Sequence, residues 1–97
     1  MPTYILLVDW TEQGVKEFKD TVDRYETGRG ILEEAGVKFR DIYWTLGAHD
    51  MVSIVDAADD ETLSAALLRN ASLGNFRTTT MRAFSADEMR AVIDRAR

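Results

Sequence analysis

Hydrophobic and polar positions change period several times along this chain, and each change marks an element. Pro2–Asp9 is apolar at both parities, with Tyr4, Leu6 and Val8 alternating with Ile5 and Leu7. A run of that kind suits a central strand covered on both faces. From Thr11 to Ala35 the apolar residues Val15, Phe18, Val22, Tyr25, Leu32 and Ala35 recur three, four or seven positions apart, the stripe of a long amphipathic helix. Gly28 and Gly30 sit in its middle, where each glycine costs about 1 kcal/mol relative to alanine. The pattern therefore predicts a bend or break near Thr27–Gly30.

Gly36 ends the helix, and a period of two takes over. Val37–Leu46 and His49–Asp56 read as two strands joined by Gly47 and Ala48, with glycine where a two-residue type II′ turn requires it. A closing pair of Leu46 and His49 sets Ile42 opposite Ser53 and Tyr43 opposite Val52, and directly opposed residues share a face. One face then carries Ile42, Trp44, Leu46, His49, Met51, Ser53 and Val55, the other Tyr43, Thr45, Asp50, Val52 and Ile54. Neither parity is distinctly polar. Asp59, Asp60 and Glu61 put negative charge at the start of a second helix, whose stripe Leu63, Ala66, Leu67 and Ala71 closes at Gly74. Phe76–Phe84 is rich in β-branched and aromatic residues and reads as a fourth strand, with Thr78, Thr80 and Arg82 at one parity and Thr79, Met81 and Ala83 at the other. Ser85 and Glu88 have capping-box spacing, Phe84 and Met89 have staple spacing, and Met89, Val92, Ile93 and Ala96 stripe a final helix.

The order βαββαβ plus an extra C-terminal helix predicts an α+β, ferredoxin-like domain over residues 1–97: a four-stranded antiparallel sheet with helices on one face. A chain of 97 residues builds one small core. The helices can cover only one sheet face, yet the first strand and the hairpin are apolar on both. The second face would expose large side chains unless another chain covers it. The expected partner is therefore the chain itself, as a homodimer or higher even oligomer packed sheet against sheet.

Composition narrows the function classes. Cysteine is absent, which removes disulfides and thiolate chemistry. Seventeen acidic against twelve basic residues give a net charge of -5, which repels a phosphate backbone, so nucleic acid is not an expected partner. The N-terminus has no basic region before its short apolar run, and no segment is long enough for a membrane span. A cytoplasmic protein is expected.

The segments DWTEQG near the start, YWTLGAHDMV in the hairpin and SLGNFRTTTMRAFS before the last helix resemble the GYD-domain family. That resemblance implies a ferredoxin-like fold of the dimeric α/β-barrel type, in small bacterial proteins that are mostly uncharacterised. The family motif, Gly, one variable residue, Tyr, Asp, maps onto Gly47, Ala48, His49 and Asp50, so His49 stands where tyrosine is usual. The hairpin, with Arg77, Thr78 and Thr80, is also similar to the amino-acid-sensing domain of leucine-responsive bacterial regulators, where such a hairpin lies near an effector site between subunits. Their DNA-binding helix-turn-helix has no counterpart in this chain, which implies no regulation of DNA by the chain alone.

The candidate chemistry is sparse. His49 is the only histidine, and alone it lacks the second ligand or nucleophile that a metal site or triad needs; no metal and no cofactor are expected. It reads first as a half-exposed turn residue. Asp50, opposite Thr45, is placed to accept a hydroxyl or turn-amide hydrogen bond and fasten the hairpin. Thr78, Thr80 and Arg82 put hydroxyls and a cation on one strand, able to hold a carboxylate or phosphate. A free amine at Pro2, after loss of Met1, would be a general base only if burial lowered its pKa. The expected ligand site therefore lies on the partner-facing side of the sheet, drawing on Tyr43, Trp44, His49, Asp50, Thr78, Thr80 and Arg82, and suits a small acidic or aromatic molecule. The leading expectation is a homo-oligomeric barrel protein that binds a small organic molecule between the sheets of a dimer. Two alternatives stand beside it: a cofactor-independent monooxygenase or isomerase of the same barrel type, and a purely structural assembly unit. Whether the chain is an enzyme stays open at this level.

Overall fold

The computed structural model describes residues 1–97. Its elements run β1 (Thr3–Trp10), α1 (Glu12–Lys16), a 3-10 turn (Phe18–Asp20), α2 (Thr21–Glu34), β2 (Lys38–Trp44), β3 (Met51–Asp56), α3 (Asp60–Ala71), β4 (Phe76–Ala83) and α4 (Ala86–Ala96). The strands form one sheet in the order β2-β3-β1-β4, and every neighbouring pair is antiparallel. This is the ferredoxin-like α+β arrangement that the element order predicts.

The helices cover one side of the sheet. Tyr4, Leu6 and Val8 of β1 and Met51 and Val55 of β3 are buried there with Leu32, Val37, Ala57, Leu63 and Ala66. Ile5, Leu7, Val52 and Ile54 point the other way and are only partly covered. Register joins them into rows: Tyr43, Val52, Leu7 and Thr79 oppose one another in turn, as do Asp41, Ile54, Ile5 and Met81. The uncovered face thus carries a continuous apolar band, with Met81 and Tyr43 exposed.

Two expectations are corrected here. The long helix does not break at Thr27–Gly30, because α2 runs unbroken from Thr21 to Glu34. The break falls earlier, at Glu17–Asp20, because α1 is pinned elsewhere. A Cβ at Gly14 would stand 1.9 Å from the Asn75 carbonyl oxygen, so this turn lies directly on the loop before β4 and cannot share the axis of α2. The hairpin also differs. Trp44 opposes Met51, Tyr43 opposes Val52 and Ile42 opposes Ser53, as the turn predicts, but the ladder ends there and a β-bulge between Phe39 and Asp41 shifts the rest by one. Thr45–Asp50 forms a longer connection, held by Thr45 N–H to the Asp50 carbonyl at 2.9 Å and by the Thr45 hydroxyl to the His49 carbonyl at 2.6 Å. Gly47 takes φ +110° in it, a left-handed conformation open to glycine.

α4 begins with the predicted capping box, Ser85 and Glu88 each accepting from the other's backbone N–H. None of its residues is buried. Met89, Val92 and Ile93 form an exposed apolar stripe.

Candidate functional site

A cavity of about 220 Å³ opens between the sheet and helices α2 and α3. The sheet supplies Leu6, Val8, Trp10, Met51, Ile42 and Phe76, and α2 supplies Tyr25 and Leu32. Tyr25 meets the Phe39 ring edge to face, with centroids 5.7 Å apart, a favoured geometry for aromatic pairs. The wall is therefore mainly apolar.

Of the polar side chains in the lining, two are buried. Ser53, 3% exposed, lies on β3 between Met51 and Val55, and Asn70, 4% exposed, ends the buried stripe of α3. Both line the cavity. Neither side chain is held by a hydrogen bond inside the chain, yet no sealed polar atom lacks a partner, so both groups are reached from the cavity. Uncharged polar groups at core positions normally need a partner, which gives these two a claim on whatever fills the space. Gly28 makes room for one of them: a Cβ there would lie 3.1 Å from Asn70 Nδ2.

One end of the cavity is closed by two segments already singled out in the sequence. Thr11 Oγ1 donates to the Gly74 carbonyl at 2.6 Å and accepts from Gly14 N–H at 3.0 Å. Thr11 N–H reaches the Asn75 carbonyl at 3.2 Å. Gln13 Nε2 bonds the Leu73 carbonyl at 3.3 Å and Asn75 Oδ1 at 3.2 Å. DWTEQG and SLGNF therefore interlock, and they set Trp10 and Phe76 opposite each other as cavity wall. The cations at the rim are engaged. Arg24 donates to the Gly14 carbonyl at 3.3 Å and pairs with Glu17, while Arg29 pairs with Glu33.

The residues expected to share one site are divided by the sheet. Tyr43 lies on the open face and is exposed. Trp44 lies on the helix side, its indole N–H donating to Thr21 Oγ1 at 3.0 Å and its ring 6.0 Å from Tyr25. Thr78, Thr80 and Arg82 oppose the buried Val8, Leu6 and Tyr4, so this row also faces the helices and not the open side. Only Thr78 reaches the cavity. Arg82 is taken up locally: it donates to the Thr3 carbonyl at 3.2 Å, lies 4.6 Å from the Phe84 ring centroid and stands 3.7 Å from Glu88. His49 Nδ1 sits 3.2 Å from the Asp9 carboxylate. Asp50 fastens the hairpin to β1 and not to its own turn, for its carboxylate accepts the Trp10 backbone N–H at 2.9 Å.

One titration shift lies at the cavity, where Arg29 is raised chiefly by its hydrogen bond to Glu33; the others lie away from it. The Tyr4 hydroxyl is pushed up to about 12, first because it donates a hydrogen bond to Asp60, then because it is desolvated. The Ser85 backbone N–H holds Glu88 below the usual carboxylate range, with Arg82 adding to the effect. Ser53, Asn70 and Gly28 were not picked out from the sequence as site residues. The available signal was a polar residue at an apolar parity, Ser53 between Met51 and Val55, and a stripe 63, 66, 70 that ends in asparagine.

Other proteins resemble this chain in sequence or in fold. A Thermus thermophilus protein named glutamine synthetase and cystathionine beta-lyase binding protein is 32% identical over 90 residues, covering 92% of this chain and 95% of that protein. A feast or famine regulatory protein from M. tuberculosis, solved in complex with L-methionine, matches with a TM-score of 0.67 at 16% identity, over 89% of this chain and 52% of that one. The chain thus spans about half the length of that regulator. TTHA0845, also from Thermus thermophilus, matches with a TM-score of 0.57 at 24% identity, over 89% of this chain and 96% of that one. At those identities the two structures speak for the fold. The GYD-domain profile matches residues 4–93, nearly the whole of the domain just described, and the chain belongs to the GYD-domain family.

Proposed function

We propose that the chain is a homo-oligomeric binding module that takes a small organic molecule in the cavity between its sheet and helices α2 and α3, and packs the open face of its sheet on a second copy. The cavity carries this reading: an apolar space of about 220 Å³ with two buried, uncharged polar side chains facing into it has the composition of a small-molecule site. The site expected between the sheets of a dimer moves accordingly to the helix side of one protomer. The sheet-to-sheet contact remains, supported by the band of Ile5, Leu7, Val52, Ile54 and Met81, which a second copy would remove from water. A regulator of the same fold solved with L-methionine is consistent with a domain that responds to small metabolites.

A second reading is favoured by the relative named for binding two enzymes: the module is an adaptor for metabolic enzymes, with the exposed stripe of α4 as a further contact. The two readings are compatible, since ligand and partner would use different surfaces. Native mass spectrometry with light scattering tests the proposal. An even oligomer carrying an extra small mass is expected, and Ile54→Asp is expected to give monomers. A wild-type monomer at micromolar concentration overturns the assembly, and a cavity that no small molecule enters overturns the binding.

A further inference from the structure

We infer that the cavity selects an uncharged aromatic molecule of one or two rings bearing a hydrogen-bonding group, which Asn70 and Ser53 read. This rests on the reading of the cavity as a ligand site and adds the ligand's chemical class.

Size sets the first limit. At about 220 Å³ the space is smaller than the roughly 300–1,000 Å³ of sites for drug-sized ligands. It is larger than the roughly 150 Å³ apolar cavity that accepts benzene. One ring with a substituent, or two fused rings, fits between those limits. Shape and surface point the same way, because Trp10, Tyr25, Phe39 and Phe76 all contribute to the wall, and aromatic rings prefer stacked or edge-on aromatic neighbours.

Charge disfavours the acidic ligands suggested by the basic residues. Arg24 is bonded to Glu17 and to the Gly14 carbonyl, Arg29 to Glu33, and Arg82 lies outside the lining altogether. A carboxylate entering this space would lose its hydration and meet only the guanidinium groups of Arg24 and Arg29, for which Glu17 and Glu33 already compete, and a poorly paired buried ion is strongly disfavoured. A zwitterionic amino acid meets the same obstacle at both ends. The buried polar groups that reach the cavity, the Asn70 amide and the Ser53 hydroxyl, each donate and accept without charge. They suit a phenol, a carboxamide or a ring N–H. A ligand without such a group would leave both unpartnered, which is the basis of the selectivity.

Three probes separate the possibilities: benzamide, uncharged and hydrogen-bonding; benzoate, nearly the same shape but anionic; and toluene, apolar throughout. Affinities for the intact chain are measured by ligand-observed NMR, and the site is identified by quenching of Trp10 fluorescence, with Trp44→Phe removing the second tryptophan signal. Benzamide is expected to bind at least tenfold more tightly than benzoate, and more tightly than toluene. Asn70→Leu is expected to abolish the preference for benzamide over toluene while leaving toluene binding intact. If that variant does not fold, the wild-type ranking of benzamide against benzoate still decides the matter. Equal or tighter binding of benzoate overturns the inferred class and leaves the cavity as a site. Failure of all three probes to bind overturns the cavity as a ligand site, and this inference with it.

Discussion

Glycine to alanine is usually a mild change, and in this protein its sign should depend on which glycine is changed. At Gly14 a Cβ would stand 1.9 Å from the Asn75 carbonyl oxygen, 1.5 Å short of the 3.4 Å at which ordinary contact begins. The atom it meets is backbone, so no side chain can swing aside and α1 must move. That movement strains or breaks the bonds joining the two segments: Thr11 Oγ1 to the Gly74 carbonyl, Thr11 N–H to the Asn75 carbonyl and the pair from Gln13 Nε2. With a net contribution of roughly 1 kcal/mol for a typical bond and less for the exposed ones, the loss comes to roughly 2–4 kcal/mol. For a domain of this size that lowers Tm by on the order of 10–20 °C. Gly30 is the control. A Cβ there meets nothing within 4 Å, so Gly30→Ala should gain about 1 kcal/mol from helix propensity alone. Gly28→Ala falls between, because its neighbour is the movable amide of Asn70 at 3.1 Å. Thermal and urea denaturation followed by circular dichroism measures all three. A Gly14→Ala variant as stable as Gly30→Ala would refute the account of why the chain breaks between α1 and α2.

Two further outcomes follow from single contacts. Asp50→Ala removes the carboxylate that accepts the Trp10 N–H at 2.9 Å; as a charge-assisted bond in a partly exposed site it should cost about 1–2 kcal/mol, and an unchanged urea midpoint would mean that Asp50 is not what ties the hairpin to β1. Tyr4 titrates near 10 when unfolded and is pushed up to about 12 in the fold, chiefly by its hydrogen bond to Asp60. A raised folded-state pKa gives stability that is fully present below pH 10, declines above it, and is lost as pH rises through about 12. The stability gap between wild type and Tyr4→Phe should therefore stay constant up to about pH 10 and close toward pH 12, and a gap that does not change across that window rules out the linkage.

The kind and order of the elements could be read from the residues alone wherever the signal is local. The capping box of Ser85 and Glu88 starts α4 because both partners lie within one turn, Asp59 caps α3 through the Thr62 N–H at 2.7 Å, and the pairs Tyr43 with Val52 and Trp44 with Met51 follow from the position of Gly47. Which parity of the sheet meets the helices was settled only when the strands assembled. β1 is apolar at both parities, so its pattern is the same whichever face is buried, and the choice is made by pairing between strands far apart in the chain. That choice turned Thr78, Thr80 and Arg82 toward the helices and left Tyr43 on the open face. The break of the long helix was equally out of reach: Gly28 and Gly30 look like the weak points by propensity, but the constraint comes from Asn75, some sixty residues away, pressing on Gly14. Ser53 and Asn70 were visible only as polar residues on apolar stripes. They became a site when packing left a cavity beside them, because a cavity is what several elements fail to fill together and no one segment encodes it.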